Sequence, residues 1–234
     1  SAFDNVPDNM KVNVEVLSGN AVDNILSTVQ KYNGDFIIVG TALSTSLQKM
    51  IFGSTTQELI NRLKVPMMIF RPQLISVLRE DELALRCRNL NRFWLIPYND
   101  YPHHRSLIKR IKAYATDNPV NTLSQCLLFS VVDEVSRSPE ITQNNMKEAE
   151  KKLSQVKQEL ESVGVEVATI VRKGSLLEEL FDVALENDIS AIALGDDQEK
   201  SVLNRILDLT VGSRSHYIIN SSWFPLIYIP MAKS

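Results

Sequence analysis

Two apolar runs, FIIVG at 36–40 and AIALG at 191–195, carry no alternation of polar and apolar positions. Strands covered by helices on both faces read that way. Each run is preceded by a segment of helical period. Val22, Ile25, Leu26 and Val29 share one face behind a capping Asn20, and Leu177, Leu180 and Ala184 follow an S-x-x-E capping box at Ser175 and Glu178. A similar Ser54–Gln57 device opens a helix carrying Leu59, Ile60 and Leu63. Further along, RFWLIPY (92–98) and SQCLLFSVV (124–132) predict strands. Leu107, Ile108, Ile111 and Ala115 predict the helix between them. A long helix is expected over 141–163, with Met146, Ala149, Leu153, Val156, Leu160 and Val163 on its stripe and Gly164 at its end. Strands alternating with helices predict a parallel, doubly wound α/β sheet.

The pattern repeats. Val14–Gly40 and Val167–Gly195 each run strand, glycine, helix, strand, glycine. Gly19 to Gly40 and Gly174 to Gly195 are both 21 residues. Gly53-Ser54 precedes Pro66 by 13 residues from the glycine, and Gly212-Ser213 precedes Pro225 by the same 13. Each proline opens a short apolar strand, PMMIF at 66–70 and PLIYI at 225–229. The intervals between differ: Gly40 to Gly53 is 13 residues and Gly195 to Gly212 is 17. The second copy has two further strands in front. The chain therefore divides into a partial first domain at 1–72, holding third to fifth strands, a polar linker at 73–91, and a complete five-stranded domain at 92–234.

Composition changes this picture little. The 234 residues carry a formal net charge of −3 and are 44% hydrophobic, an ordinary globular balance. No basic stripe is present to neutralise phosphates, which argues against a nucleic-acid partner. Cys87 and Cys126 have no metal-site or disulfide spacing. No apolar run reaches the roughly 20 residues of a membrane span, and a soluble object on the cytoplasmic side is expected.

With Gly-Ser opening a helix after a glycine-ended fourth strand and proline before the fifth, each half resembles the universal stress protein family. The resemblance implies ATP or AMP binding through a Gly-x2-Gly-x9-Gly-Ser/Thr loop, where backbone amides and a helix N-terminus meet phosphate. The matching positions are Gly40, Gly53, Ser54 and Thr55 in the first copy and Gly195, Gly212 and Ser213 in the second. Both loops depart from that pattern. Leu43 stands at the middle glycine of the first, and Asp196, Asp197 and Gln198 follow Gly195 in a loop four residues too long. The acidic residue that the family places after its first strand corresponds to Asn99. The expectation is accordingly a fold without cofactor.

Two such halves in tandem also resemble the cytosolic C-terminal domain of cation–chloride cotransporters, which are amino-acid permease-like carriers. Met10-Lys11-Val12, Met68-Ile69-Phe70-Arg71 and Phe93-Trp94-Leu95-Ile96-Pro97-Tyr98 occur in the order that plan requires. This resemblance implies a non-catalytic regulatory and dimerisation domain of a secondary transporter. Its partners would be a second copy and the transmembrane domain of the same polypeptide, with Ser1 marking an excision or a missing front half. The alternative is a free-standing tandem universal stress protein that binds ATP or AMP.

Candidate chemistry is otherwise sparse. His103, His104 and His216 lack partners at metal-ligand spacing and read as solvated residues, the pair opening a helix. No nucleophile elbow, H-E-x-x-H or Walker A sequence occurs, so no catalytic residue is assigned. Asp196-Asp197 reads as a solvated loop ahead of a cation or basic-segment site. The 146–163 stripe reads as core ahead of a coiled-coil seam. In stress-protein dimers fifth strands pair across a two-fold axis. Trp223, Phe224 and Tyr228 are thus either a dimer interface or ordinary core.

Overall fold

The computed structural model describes residues 9–40, 54–70, 79–117, 123–133, 138–195, 218 and 222–230. The chain falls into two compact units, 1–34 and 35–234.

In the smaller unit the helix α1 (Ala21–Tyr32) forms as its spacing predicts. The Asn20 side chain accepts from the amides of Val22 at 2.9 Å and Asp23 at 3.1 Å, satisfying two N–H groups that a helix start leaves open. Asn33 closes the helix in the left-handed region at φ 49°. The strand expected just before it does not form. Residues 10–18 make no ladder, and Val12, Val14, Val16 and Leu17 are exposed.

Among the described residues of the larger unit, seven strands make one sheet: β1 (Ile37–Gly40), β2 (Met67–Phe70), β3 (Phe93–Pro97), β4 (Gln125–Val132), β5 (Glu166–Lys173), β6 (Ala191–Gly195) and β7 (Leu226–Ile229). Their order is β1-β2-β7-β6-β3-β4-β5. The five strands of the complete copy run parallel, as expected of a doubly wound sheet. The helices are α2 (Ser54–Arg62), α3 (Glu80–Arg88), α4 (Pro102–Asp117), α5 (Pro139–Glu161) and α6 (Leu176–Glu186). The stretch 73–91, expected as a polar linker, holds α3, none of whose residues is buried.

The internal repeat reappears as ladder register. Ile37, Ile38, Val39 and Gly40 face Met67, Met68, Ile69 and Phe70. Ile192, Ala193, Leu194 and Gly195 face Leu226, Ile227, Tyr228 and Ile229 in the same relation. The entry bonds match too: Ile37 N–H donates to Pro66 O at 3.0 Å and Ile192 N–H to Pro225 O at 2.9 Å. The two fifth strands, β2 and β7, then pair antiparallel about Met68 and Ile227, with Met67 opposite Tyr228 and Ile69 opposite Leu226. A local two-fold relation thus joins the copies inside one chain.

This pairing bears on the last strand. Tyr228, one of the three residues offered as a dimer interface, is buried, and its hydroxyl reaches Ile60 O at 3.5 Å. The β7 edge that a second copy would use is already filled by β2. Trp223 stays half-exposed and stacks on Phe181 at 5.2 Å, with Phe224 beside it at 6.1 Å.

The core beneath the site comes from β3 and β4. Leu95, Ile96, Leu128 and Phe129 are fully buried, with Leu107 and Ile111 from α4 and Leu153, Val156 and Leu160 from α5. The C-terminal half of the 146–163 stripe is therefore core. Gly164, at φ 87°, ends that helix in a conformation that favours glycine. Ser175 occupies the N-cap of α6 but makes no side-chain cap bond, so the expected capping box is not formed.

Candidate functional site

Where β3 and β4 end, the chain opens into a cleft of about 250 Å³. Open α/β sheets place ligands outside the carboxyl ends of their strands, so this is the position to inspect. Tyr98, Asn99 and Tyr101 line it from the turn after β3, Ser130 to Asp133 from the end of β4, and Asn145, Glu148, Ala149 and Lys152 from α5.

The turn after β3 is held in shape by short-range bonds. Tyr98 N–H donates to Phe129 O at 2.7 Å, anchoring the strand end. Asp100 adopts φ 60°, the left-handed region that Asp tolerates better than most residues. Its carboxylate takes a two-point bond from Arg105, at 2.7 and 2.9 Å, and a third from the Tyr98 hydroxyl at 3.0 Å. The Arg105 guanidinium holds the Asp100 carboxyl below its ordinary range. Burial, with the Asp100 carboxylate adding to it, pushes the Tyr98 phenol up to about 12. Tyr98 therefore stays a neutral donor at physiological pH.

Asn99, the residue at the family's acidic position, is fixed on two sides. Its backbone N–H donates to His104 Nδ1 at 3.0 Å, and its Oδ1 accepts from the Ser130 hydroxyl at 2.6 Å. With the oxygen taken, the amide NH2 is the end left for a ligand. Tyr101, half-exposed, adds a ring face to the cleft and stacks on His103 at 5.6 Å and 11°. On the α5 wall Lys152 pairs with Glu148 at 2.7 Å, which lowers the Glu148 carboxyl and raises the lysine. The result is an amide, a hydroxyl and an aromatic face converging on a small cleft, an arrangement that binds planar polar ligands.

Of the residues named from the sequence, Asn99 lines this cleft, together with Tyr98 of the β3 motif and Ala149 of the long-helix stripe. Gly195 lies at the end of β6, tight against α4. A Cβ there would meet His103 O at 3.0 Å and Leu107 Cβ at 3.3 Å. Gly40, its counterpart in the first copy, has open space instead. Thr55 is partly buried in α2, and Ser54 opens that helix. Leu43, Gly53, Asp196, Asp197, Gln198, Gly212, Ser213 and His216 lie outside the described residues. The reading of His103 and His104 as solvated is corrected: His103 is buried, and His104 accepts from the chain. Among the described residues, no group of three metal-binding side chains exists, and no helix is long and apolar enough to cross a membrane.

The fold and this site position together define a universal stress protein-like α/β domain. Comparison bears that out. Residues 5–71 match the model of the universal stress protein family. A universal stress protein from Archaeoglobus fulgidus superposes with a TM-score of 0.56 at 17% identity, over 91% of this chain and 66% of its own. A candidate universal stress protein from Pseudomonas aeruginosa gives 0.60 at 14% identity, over 92% and 69%. The chain thus spans about two thirds of the length of these structures. At such identities the likeness is one of fold. No curated protein matches the sequence, and nothing in the comparisons links it to a cation–chloride cotransporter.

Proposed function

We propose that this chain is a non-catalytic, tandem stress-protein-type binding module whose complete copy takes an adenine nucleotide, AMP or ATP, in the cleft beside β3 and β4. The observation that carries the reading is Asn99. Its oxygen is committed to Ser130 at 2.6 Å and its backbone to His104 at 3.0 Å. That leaves an oriented amide donor at the strand end where α/β sheets take ligands. A purine edge offers ring-nitrogen acceptors to such a donor, and the Tyr101 ring offers a face on which a base can stack. Stacking of that kind is worth about 1–3 kcal/mol per base. The match of residues 5–71 to the stress-protein family lies in the first copy, outside this cleft, and supports the fold class on which the reading rests.

Calorimetric titration of AMP into the intact chain tests it. Binding tighter than about 100 μM, roughly 5.5 kcal/mol, is expected. Ser130→Ala, which frees the Asn99 amide to turn, is expected to weaken it by about tenfold, the 1.4 kcal/mol of one hydrogen bond. No heat with AMP at these concentrations would overturn the proposal.

A further inference from the structure

We infer that the cleft discriminates against polyphosphate, so that adenosine and AMP bind in preference to ATP; this deepens, and rests on, the reading of the cleft as an adenine site. Two independent observations carry it. The first is size. The cleft offers about 250 Å³, below the roughly 300–1,000 Å³ typical of sites for drug-sized ligands. A base and its sugar fill such a space, and a triphosphate tail must then lie along its rim.

The second is charge. Among the described residues, three ionisable groups other than tyrosine line the cleft: Asp133, Glu148 and Lys152. Lys152 is already bonded to Glu148 at 2.7 Å, and Arg105, on the helix that follows the Tyr98–Tyr101 turn, is committed to Asp100 at 2.7 and 2.9 Å. Both cations are therefore matched by a carboxylate, and Asp133 adds a further negative charge. A phosphate chain needs cations or a row of amides to replace its water. The described rim presents carboxylates in their place. Like charges along a rim repel, and that repulsion grows with each phosphate added to the ligand.

The experiment compares adenosine, AMP and ATP by calorimetry on the intact chain, on Asp133→Asn and on Glu148→Gln. Adenosine and AMP are expected to bind at least about tenfold tighter than ATP. Each substitution should narrow that gap by strengthening ATP most, AMP less and adenosine least, Glu148→Gln the more because it also releases Lys152. ATP binding as tightly as AMP overturns the inference while leaving the adenine site standing. So does a gap unchanged in both variants. Silence with all three ligands removes the adenine site itself and the inference with it.

Discussion

Tyr228→Ala is expected to lower the stability of the chain by about 3–5 kcal/mol, the cost of deleting a fully buried aromatic side chain and leaving its cavity. Tyr228 is 2% exposed. It sits on β7 with Met67 of β2 on one side and Leu194 of β6 on the other. Its ring therefore packs in the seam where the two copies meet. Single domains hold only about 5–15 kcal/mol in total, so the variant should be marginal at room temperature. Urea unfolding measures the loss, and Ile38→Ala serves as the control. Ile38 lies on β1 but is 64% exposed, so its truncation should change stability by less than about 0.5 kcal/mol. A Tyr228→Ala loss near that of the control would mean that the β2–β7 seam holds nothing together.

Alanine at the two strand-ending glycines is expected to have opposite effects. Gly40 and Gly195 occupy equivalent places in the repeat, each the last ladder residue of its strand. At Gly195 a methyl group would stand 3.0 Å from His103 O, and that oxygen belongs to helix backbone. Either α4 moves out or the strand end moves in, at about 1–3 kcal/mol. At Gly40 nothing among the described residues lies within 4 Å, so alanine should be neutral or gain up to about 1 kcal/mol through a less flexible unfolded chain. Thermal melts of the two single variants read the difference directly. Equal melting points would remove the asymmetry between the copies.

That asymmetry explains which parts of the structure were legible in the sequence. The landmarks from Gly40 to Pro66 and from Gly195 to Pro225 predicted a duplication, and it returned as identical ladder register. Patterns of this kind survive because each strand pair closes within one β-α-β unit, Ile37 facing Met67 and Ile192 facing Leu226. The strand expected near Val14–Leu17 failed for the converse reason. Its counterpart β5 exists by pairing with β4 over eight residues, whereas no described strand pairs with residues 10–18. Apolar alternation alone does not satisfy backbone N–H and C=O groups. Nor does periodicity show that the two fifth strands pair antiparallel within one chain. That follows from the two-fold relation of the copies, to which single-sequence spacing is blind.

The cleft was less legible than the fold. Asn99 stood out because a known pattern places an acid there. Ser130, His104 and Lys152 did not, because each comes from a different element and no spacing connects them. Ser130 is 31 residues from Asn99, and on a strand otherwise apolar it read as filler. Its signal was a lone hydroxyl at the carboxyl end of β4 at 4% exposure, since a buried polar group requires a partner. The histidine pair misled in the opposite sense. Two adjacent imidazoles without metal-ligand spacing read as solvent-facing, yet one ring accepts the bond that orients the site.

Amide hydrogen exchange of the intact chain with and without AMP tests the central claim most directly. Slowed exchange is predicted in three segments, 98–101, 130–133 and 145–152, which line the cleft, with β1 and β2 unchanged. Exchange unaltered by AMP across those three segments, or protection appearing instead over 36–70, would contradict it.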